Sequence, residues 1–267
     1  MKLITVNEDK CTKCERCIKE CPAFFVLKMG ENGPEVINPK ACIACGHCVA
    51  VCPSAAIDNI RTPIEEQVDI TEDFPKLNES QAEYFLRSRR SIRAYKDKSV
   101  SREQLTKLVN IARMAPTGSN VQGISYVVVE NTQLVKKATE LTIEWMENSP
   151  LKNKLKNLIE GYRNYGIDGI FRGAPNLVLT IADNNFSRGR ENSIFSLAYL
   201  ELYAPSLGLG SCWAGLFEIC ALAPNSPMLT LFNIPEGKKI TGAVMVGYPK
   251  YSFKRLVERD PLEVTFI

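Results

Sequence analysis

A chain of 267 residues, 45% apolar and 24% charged, can bury one large core or two ordinary ones and has the profile of a soluble globular protein. No run approaches eighteen apolar residues, and residues 1–9 lack a leader's apolar stretch and cleavage site, so neither a membrane span nor secretion is expected and the cytoplasm is the expected location. The net charge of +3 divides into −4 over residues 1–79 and +7 over residues 80–267, too weakly basic for nucleic acid but suited to a phosphate-bearing cofactor and to docking an acidic module.

Eight of the ten cysteines lie in two blocks of identical spacing, Cys11-x2-Cys14-x2-Cys17-x3-Cys21-Pro22 and Cys42-x2-Cys45-x2-Cys48-x3-Cys52-Pro53. Without a leader, such thiols stay reduced, which argues against a disulfide scaffold. Three thiolates two residues apart wrap a tight loop around one [4Fe–4S] cubane, while the fourth points away and ligates the partner cluster. The spacing therefore assigns Cys11, Cys14, Cys17 and Cys52 to one cluster and Cys42, Cys45, Cys48 and Cys21 to the other. Zinc also binds Cys-x2-Cys pairs, but it takes four ligands in two pairs and leaves the third Cys and the Cys-Pro of each block unexplained. Residues 1–60 resemble a bacterial two-cluster ferredoxin, which implies electron transfer. The only histidine, His47, lies between Cys45 and Cys48. With eight thiolates filling both clusters, it reads as a neighbour that tunes polarity or faces solvent.

Residues 61–79 are rich in acid and proline without periodicity and read as an extended connector. Ser80 with Glu83 forms a capping-box signal for a helix ending near Arg90. Ser101 with Gln104 caps a second helix, whose Leu105, Leu108, Val109, Ala112 and Ala115 recur at helical spacing. Strands are predicted at 124–129, 177–181 and 243–246, and helices near 133–148, 151–160 and 192–207. Few strands among many helices predict an α+β domain over residues 80–267. Trp145, Tyr162, Tyr165, Phe171 and Arg172, in the stretch 140–172, suit core or dimer contacts, with a substrate lid as the alternative.

Three features of this second domain suggest a cofactor. Arg89-Arg90-Ser91-Ile92-Arg93 combines guanidinium forks and a hydroxyl at a helix end, a natural phosphate clamp, although a solvated basic helix end or a kinase site at Ser91 would look the same. Ala115-Pro116-Thr117-Gly118-Ser119-Asn120-Val121-Gln122 offers short polar side chains and backbone groups to the edge of a flat heterocycle, or is an ordinary turn. Gly208-Leu209-Gly210-Ser211-Cys212-Trp213-Ala214-Gly215 contains Gly-x-Gly, but it follows a helix and lacks a third glycine in register, which argues against a Rossmann loop.

In this order, and with Gly247-Tyr248-Pro249 and the basic tail, the three features resemble the nitroreductase family over roughly residues 80–267. The resemblance implies an α+β fold and an obligate homodimer with FMN at the subunit interface. Arg89, Arg90, Ser91 and Arg93 would hold the ribityl phosphate and flavin edge. Pro116, Thr117, Gly118, Asn120 and Gln122 would reach the flavin from the other subunit. Trp213, Ala214 and Gly215 would line the ring, the backbone N–H of Gly215 or Leu216 lying near N5, and Arg255 and Arg259 would close on the phosphate. Many family members carry Pro-Trp where this chain has Gly123-Ile124, which bears on substrate shape. Cys212 and Cys220 read as buried filler, with a reactive thiol beside the flavin as the alternative for Cys212.

With the single histidine in the ferredoxin module, the flavin site is expected to work by stacking, orientation and backbone hydrogen bonds rather than by histidine acid–base catalysis. The combination implies that a low-potential donor, ferredoxin-like or NAD(P)H-linked, feeds the clusters. They in turn reduce FMN, which reduces a nitroaromatic, a quinone or a similar electron-poor ring. Two other readings share every site: an electron-transfer or redox-sensing module acting on a protein partner, and a reductase of one metabolite, by dehalogenation or ring reduction.

Overall fold

The computed structural model describes residues 2–71 and 73–267. The chain forms two compact units, Met1–Lys76 with Gly118–Val121, and Leu77–Thr117 with Gln122–Ile267.

The first unit runs β1 (Ile4–Val6), α1 (Arg16–Lys19), β2 (Leu27–Gly30), β3 (Gly33–Val36), α2 (His47–Ala50) and β4 (Ile57–Asn59). β1 pairs antiparallel with β4, Ile4 opposite Asn59, so both ends of the cysteine-bearing segment meet. β2 and β3 form an antiparallel hairpin between the two blocks. The blocks also repeat each other in backbone. Lys13 (φ 54°) and Glu15 (φ 61°) flank Cys14, and Ala44 (φ 52°) and Gly46 (φ 74°) flank Cys45, all left-handed. A side chain in that region costs about 1–2 kcal/mol, so three of these four positions hold strain of the kind that clusters at ligand loops. Leu3, Ile4, Val26, Leu27 and Ile57 form a small apolar core together with Cys17. A core of this size needs a staple of another kind.

The second unit runs α3 (Glu79–Ser88), α4 (Arg102–Ala112), β5 (Ile124–Val129), α5 (Thr132–Glu147), α6 (Lys156–Tyr165), β6 (Asn176–Asp183), α7 (Gly189–Tyr203), β7 (Gly210–Trp213), α8 (Gly215–Ala221), α9 (Pro227–Leu231) and β8 (Lys238–Gly247). The strands make one antiparallel sheet in the order β5-β6-β8-β7. Strand side chains alternate between faces, and the two cores follow that alternation. Leu177, Leu179, Ile181, Ala243 and Met245 join α5, α8 and α9 on one side. Val178, Val244 and Val246 join α4 and α7 on the other. Buried on both faces, β6 reads in sequence as an apolar run, Leu177–Ala182, broken only by Thr180. α7 approaches the sheet closely at Gly242, where a Cβ would lie 2.8 Å from Leu197 Cδ1 and Thr180 Oγ1.

Several expectations need correction. The cap of α3 is Asn78, not Ser80: Asn78 Oδ1 accepts from Gln81 N at 2.9 Å and Gln81 Oε1 accepts from Asn78 N at 3.0 Å, a reciprocal capping box. Ser80 instead donates its hydroxyl to Asn78. α3 stops at Ser88, so Arg89 onward is extended rather than helical. Residues 61–79 are not wholly extended, because Ile64–Glu66 make a 3-10 turn. The glycine-rich stretch after α7 contains a strand, β7, too short and too rich in glycine to signal itself. α6 begins five residues later than expected, at Lys156. Ser101 does cap α4, accepting from Gln104 N at 3.2 Å, and Leu105, Leu108 and Ala112 are buried as their spacing suggests.

Candidate functional site

Two cavities in the first unit are ringed by thiols. One is lined by Cys11, Cys14, Cys17 and Cys52. The other is lined by Cys21, Cys42, Cys45 and Cys48. Each set takes three cysteines from one block and the Cys-Pro cysteine of the other. The remaining walls are mostly apolar, including Val6, Pro34 and Ile57 around the first and Leu3, Val26 and Leu27 around the second. Among the described residues, no three His, Cys, Asp or Glu side chains converge as ligands of one metal ion would. The sulfurs instead surround a space, a donor set and shape that fit a polynuclear iron–sulfur cluster.

Hydrogen bonds reach these sulfurs from protein donors. Ala56 N donates to Cys52 Sγ at 3.2 Å. The amide of Asn59, itself buried, points between Cys48 Sγ (3.8 Å) and Cys42 Sγ (4.0 Å). Burial pushes the Cys17 thiol up to about 11. Burial also opposes the Cys52 thiolate, but donors at Ala56 and Ser54 together outweigh it and hold this thiol below its ordinary value. His47 opens α2, is exposed and lines neither cavity.

In the second unit, the segment after α3 runs beside β7, Ile92 N donating to Ser211 O at 2.9 Å. Extended backbone turns alternate side chains to opposite sides. Arg90 and Ile92 line a cavity of about 980 Å³ with Lys96, Glu201, Ser211 and Lys250. Arg89 lies with Nη1 3.8 Å from Glu201 Oε1. Arg93 and the Ser91 hydroxyl face Cys212, whose thiol burial nevertheless pushes up. The five-residue clamp thus divides: Arg90 lines the cavity, Arg89 approaches Glu201 at its wall, and Ser91 and Arg93 face Cys212. Arg90 Nε is buried without a partner, and its guanidinium stands 5.5 Å over the Phe253 ring.

Pro116, Thr117, Gly118, Asn120 and Gln122 do not line this cavity. Thr117 Oγ1 accepts from Gln122 N at 3.0 Å, closing the loop on itself. Asn120 belongs with the first unit and donates to Ile43 O (3.1 Å) and Ala44 O (2.8 Å). Gln122 O accepts from Asn192 at 2.8 Å. Next to it, Gly123 (φ 69°) cannot carry a side chain, because a Cβ would fall 2.6 Å from the Phe186 ring.

Trp213 ends β7 and Gly215 opens α8, with buried Ala214 between them donating its N–H to Ala243 O at 3.0 Å. Leu216 packs partly buried on the core. The guanidinium of Arg190 stands 5.2 Å over the Trp213 ring, held by both oxygens of Glu218 (3.0 and 2.8 Å). Buried Glu218 also accepts from Ala243 N at 2.9 Å. Sequence reasoning missed Arg190, Glu218, Glu201 and Asn59; none sits in a spaced motif. Arg255 and Arg259 are exposed on the irregular C-terminal tail. Of these residues, Phe171 is fully buried against Phe217, and Trp145 and Tyr162 pack on the same core, as core contacts rather than the lid alternative. Tyr165 and Arg172 are exposed. Cys212 and Cys220 both lie in that apolar core, and burial pushes the Cys220 thiol to about 11.

The 4Fe-4S dicluster domain matches residues 3–53 and the nitroreductase family matches residues 86–248. A protein of Archaeoglobus fulgidus whose name places it among NADH dehydrogenase/NAD(P)H nitroreductases is 24% identical over 168 residues, 61% of this chain and 82% of its own. Iodotyrosine deiodinase of Thermotoga neapolitana is 24% identical over 172 residues, 61% of this chain and 86% of its own. The crystal structure of a nitroreductase with bound FMN from Bacteroides fragilis aligns with a TM-score of 0.58 at 22% identity, over 72% of this chain and 100% of that one, a likeness of fold.

Proposed function

Since the chain belongs to the nitroreductase family and carries a 4Fe-4S dicluster domain ahead of that match, we propose that it is an FMN-dependent iron–sulfur oxidoreductase that reduces small electron-poor acceptors, nitroaromatics and quinones among them. The observation that carries this reading is the pair of four-thiol cavities on the same chain as the family match. When bound, the clusters would supply one-electron transfer and FMN the conversion of two single electrons into one electron pair passed on as hydride.

The protein's part is to hold and orient. Cys11, Cys14, Cys17 and Cys52 would hold one [4Fe–4S] cluster, and Cys42, Cys45, Cys48 and Cys21 the other. This crossing ties together two blocks whose shared apolar core is small. Arg89, Arg90, Ser91 and Arg93 would hold the flavin's phosphate and edge, Arg90 taking the phosphate from the cavity that Glu201 also lines, with Arg255 and Arg259 closing from the tail. Trp213, Ala214 and Gly215 would line the ring, and Pro116, Thr117, Gly118, Asn120 and Gln122 would reach a partner subunit's flavin. The Tyr95 hydroxyl donates to Ile92 O at 2.8 Å, and burial keeps it protonated, so it is a structural donor rather than an acid for the substrate. The acceptor's proton then comes from water.

A homodimer is favoured by the outer face of α7, where Phe195 and Tyr199, four residues apart, are exposed beside Ile194. Leu262, Val264 and Phe266 are likewise exposed along the tail. The electron donor is read as ferredoxin-like or NAD(P)H-linked. A reductase of one metabolite is the second reading, favoured by the match to a deiodinase. Analysis of the purified chain for iron, acid-labile sulfide and flavin, followed by anaerobic turnover with a nitroaromatic and a quinone, tests the reading. Iron and sulfide enough for two cubanes, one FMN per chain and repeated turnover are expected. Zinc in place of iron, or a flavin-free chain that ignores added FMN, would contradict it.

A further inference from the structure

Glu201 places an acid beside a cluster of cations that would bind phosphate. It projects from the last turn of α7 with its side chain 12% exposed. Ser211 Oγ donates to Oε1 at 3.2 Å, and Arg89 Nη1 stands 3.8 Å from the same oxygen, beyond hydrogen-bond reach. On its open side lies the 980 Å³ cavity, where Arg90, Lys96 and Lys250 are the other charged groups. Tyr95 and Cys212 are the remaining titratable neighbours, and burial keeps both protonated. Arg90 Nε, buried and unpartnered, is an unused donor near the same place.

These cations would draw a phosphate into the neighbourhood of a carboxylate held by one neutral hydrogen bond and one unbonded guanidinium. Two negative groups sharing a partly desolvated site disfavour each other, and the more easily protonated one neutralises. Burial already pushes the Glu201 carboxyl above the ordinary carboxylate range, with Arg89 and Ser211 offsetting only part of that effect.

Resting on the reading of this unit as an FMN domain, we propose that binding of the flavin phosphate takes up one proton at Glu201, so that the protein retains its flavin more tightly as the pH falls. The proton comes from solvent on loading and returns to it on release, and no covalent bond changes. Glu201 is a positioning residue that acts through Arg89 and the cavity cations and does not touch the flavin ring.

The test uses the full-length chain loaded with FMN or with riboflavin, which lacks the phosphate, and follows flavin fluorescence as the protein is diluted between about pH 6 and pH 8. At the upper pH, E201Q should retain FMN about tenfold more tightly than wild type, the gap closing at the lower pH, with no gap for riboflavin. In weakly buffered solution, an indicator dye should register one more proton taken up per FMN by wild type than by E201Q, a readout that a merely structural role would not give. Equal or weaker FMN retention by E201Q at the upper pH, an equal gap with riboflavin, or equal proton uptake would overturn the proposal. A wild-type chain that binds FMN at no pH would overturn both the proposal and the flavin reading beneath it.

Discussion

Asn59 carries its amide between the sulfurs of Cys42 and Cys48, yet nothing in its neighbourhood marks it, because an amide side chain gains this role only when β4 closes on β1. The cysteines are the opposite case: ligand chemistry fixes their spacing, and the sequence alone groups all eight as the two thiol-ringed cavities do. Exchange of the fourth ligand between blocks can be tested one thiol at a time. C52A should lose the same EPR signal as C14A, and C21A the same signal as C45A, each variant keeping roughly half its iron. Loss of a single signal by both C52A and C45A would refute the crossing. Elsewhere, Glu218 is buried and satisfied by Arg190 and Ala243 N. Replacing it with Ala leaves an uncompensated guanidinium and an orphan N–H, and because Arg190 is partly exposed the expected loss is about 2–3 kcal/mol in urea unfolding.

Among the elements, those with strong periodicity or caps were readable: α4 from Ser101 and its apolar stripe, β5 from its β-branched run, and β6 and β8 from their apolar cores. The short pieces were not. β7 has four residues and takes its identity from pairing with β8, and α3 starts at Glu79 because the stronger cap Asn78, two residues before Ser80, displaces the Ser80 signal. The clamp shows the same limit, since its sequence gives four polar residues around Ile92 while the fold sends Arg90 to the cavity and Ser91 and Arg93 toward Cys212. One element contact has a clear pH signature. Arg163 on α6 pairs with Glu140 and Glu147 on α5, and its hydrogen bonds hold both carboxyls below their ordinary 4.5. A carboxyl whose value is lowered by folding stabilises fully above the unfolded value and loses that contribution as the pH falls through the folded one. The melting temperature of R163M should therefore lie below wild type near neutral pH, with the difference shrinking below about 4.5. A difference independent of pH would mean that the guanidinium works through its apolar stem alone.

At the scale of the whole molecule, the sequence divides an acidic cysteine-rich part from a basic remainder, and the family matches fall on either side of that division. What no single chain displays in its sequence is its own partner surface. The exposed Phe195 and Tyr199 of α7 make one measurable: F195E is expected to shift the particle from twice the 29.8 kDa chain mass to the monomer in light scattering, while an unchanged mass would remove α7 from the dimer contact. The central claim is that electrons reach the flavin through the thiol-held clusters. Anaerobic stopped-flow with reduced ferredoxin as the one-electron donor, comparing wild type with C14S/C45S at matched flavin content, tests it most directly. Flavin bleaching should slow by an order of magnitude or more in the variant, and bleaching at the wild-type rate would contradict the account.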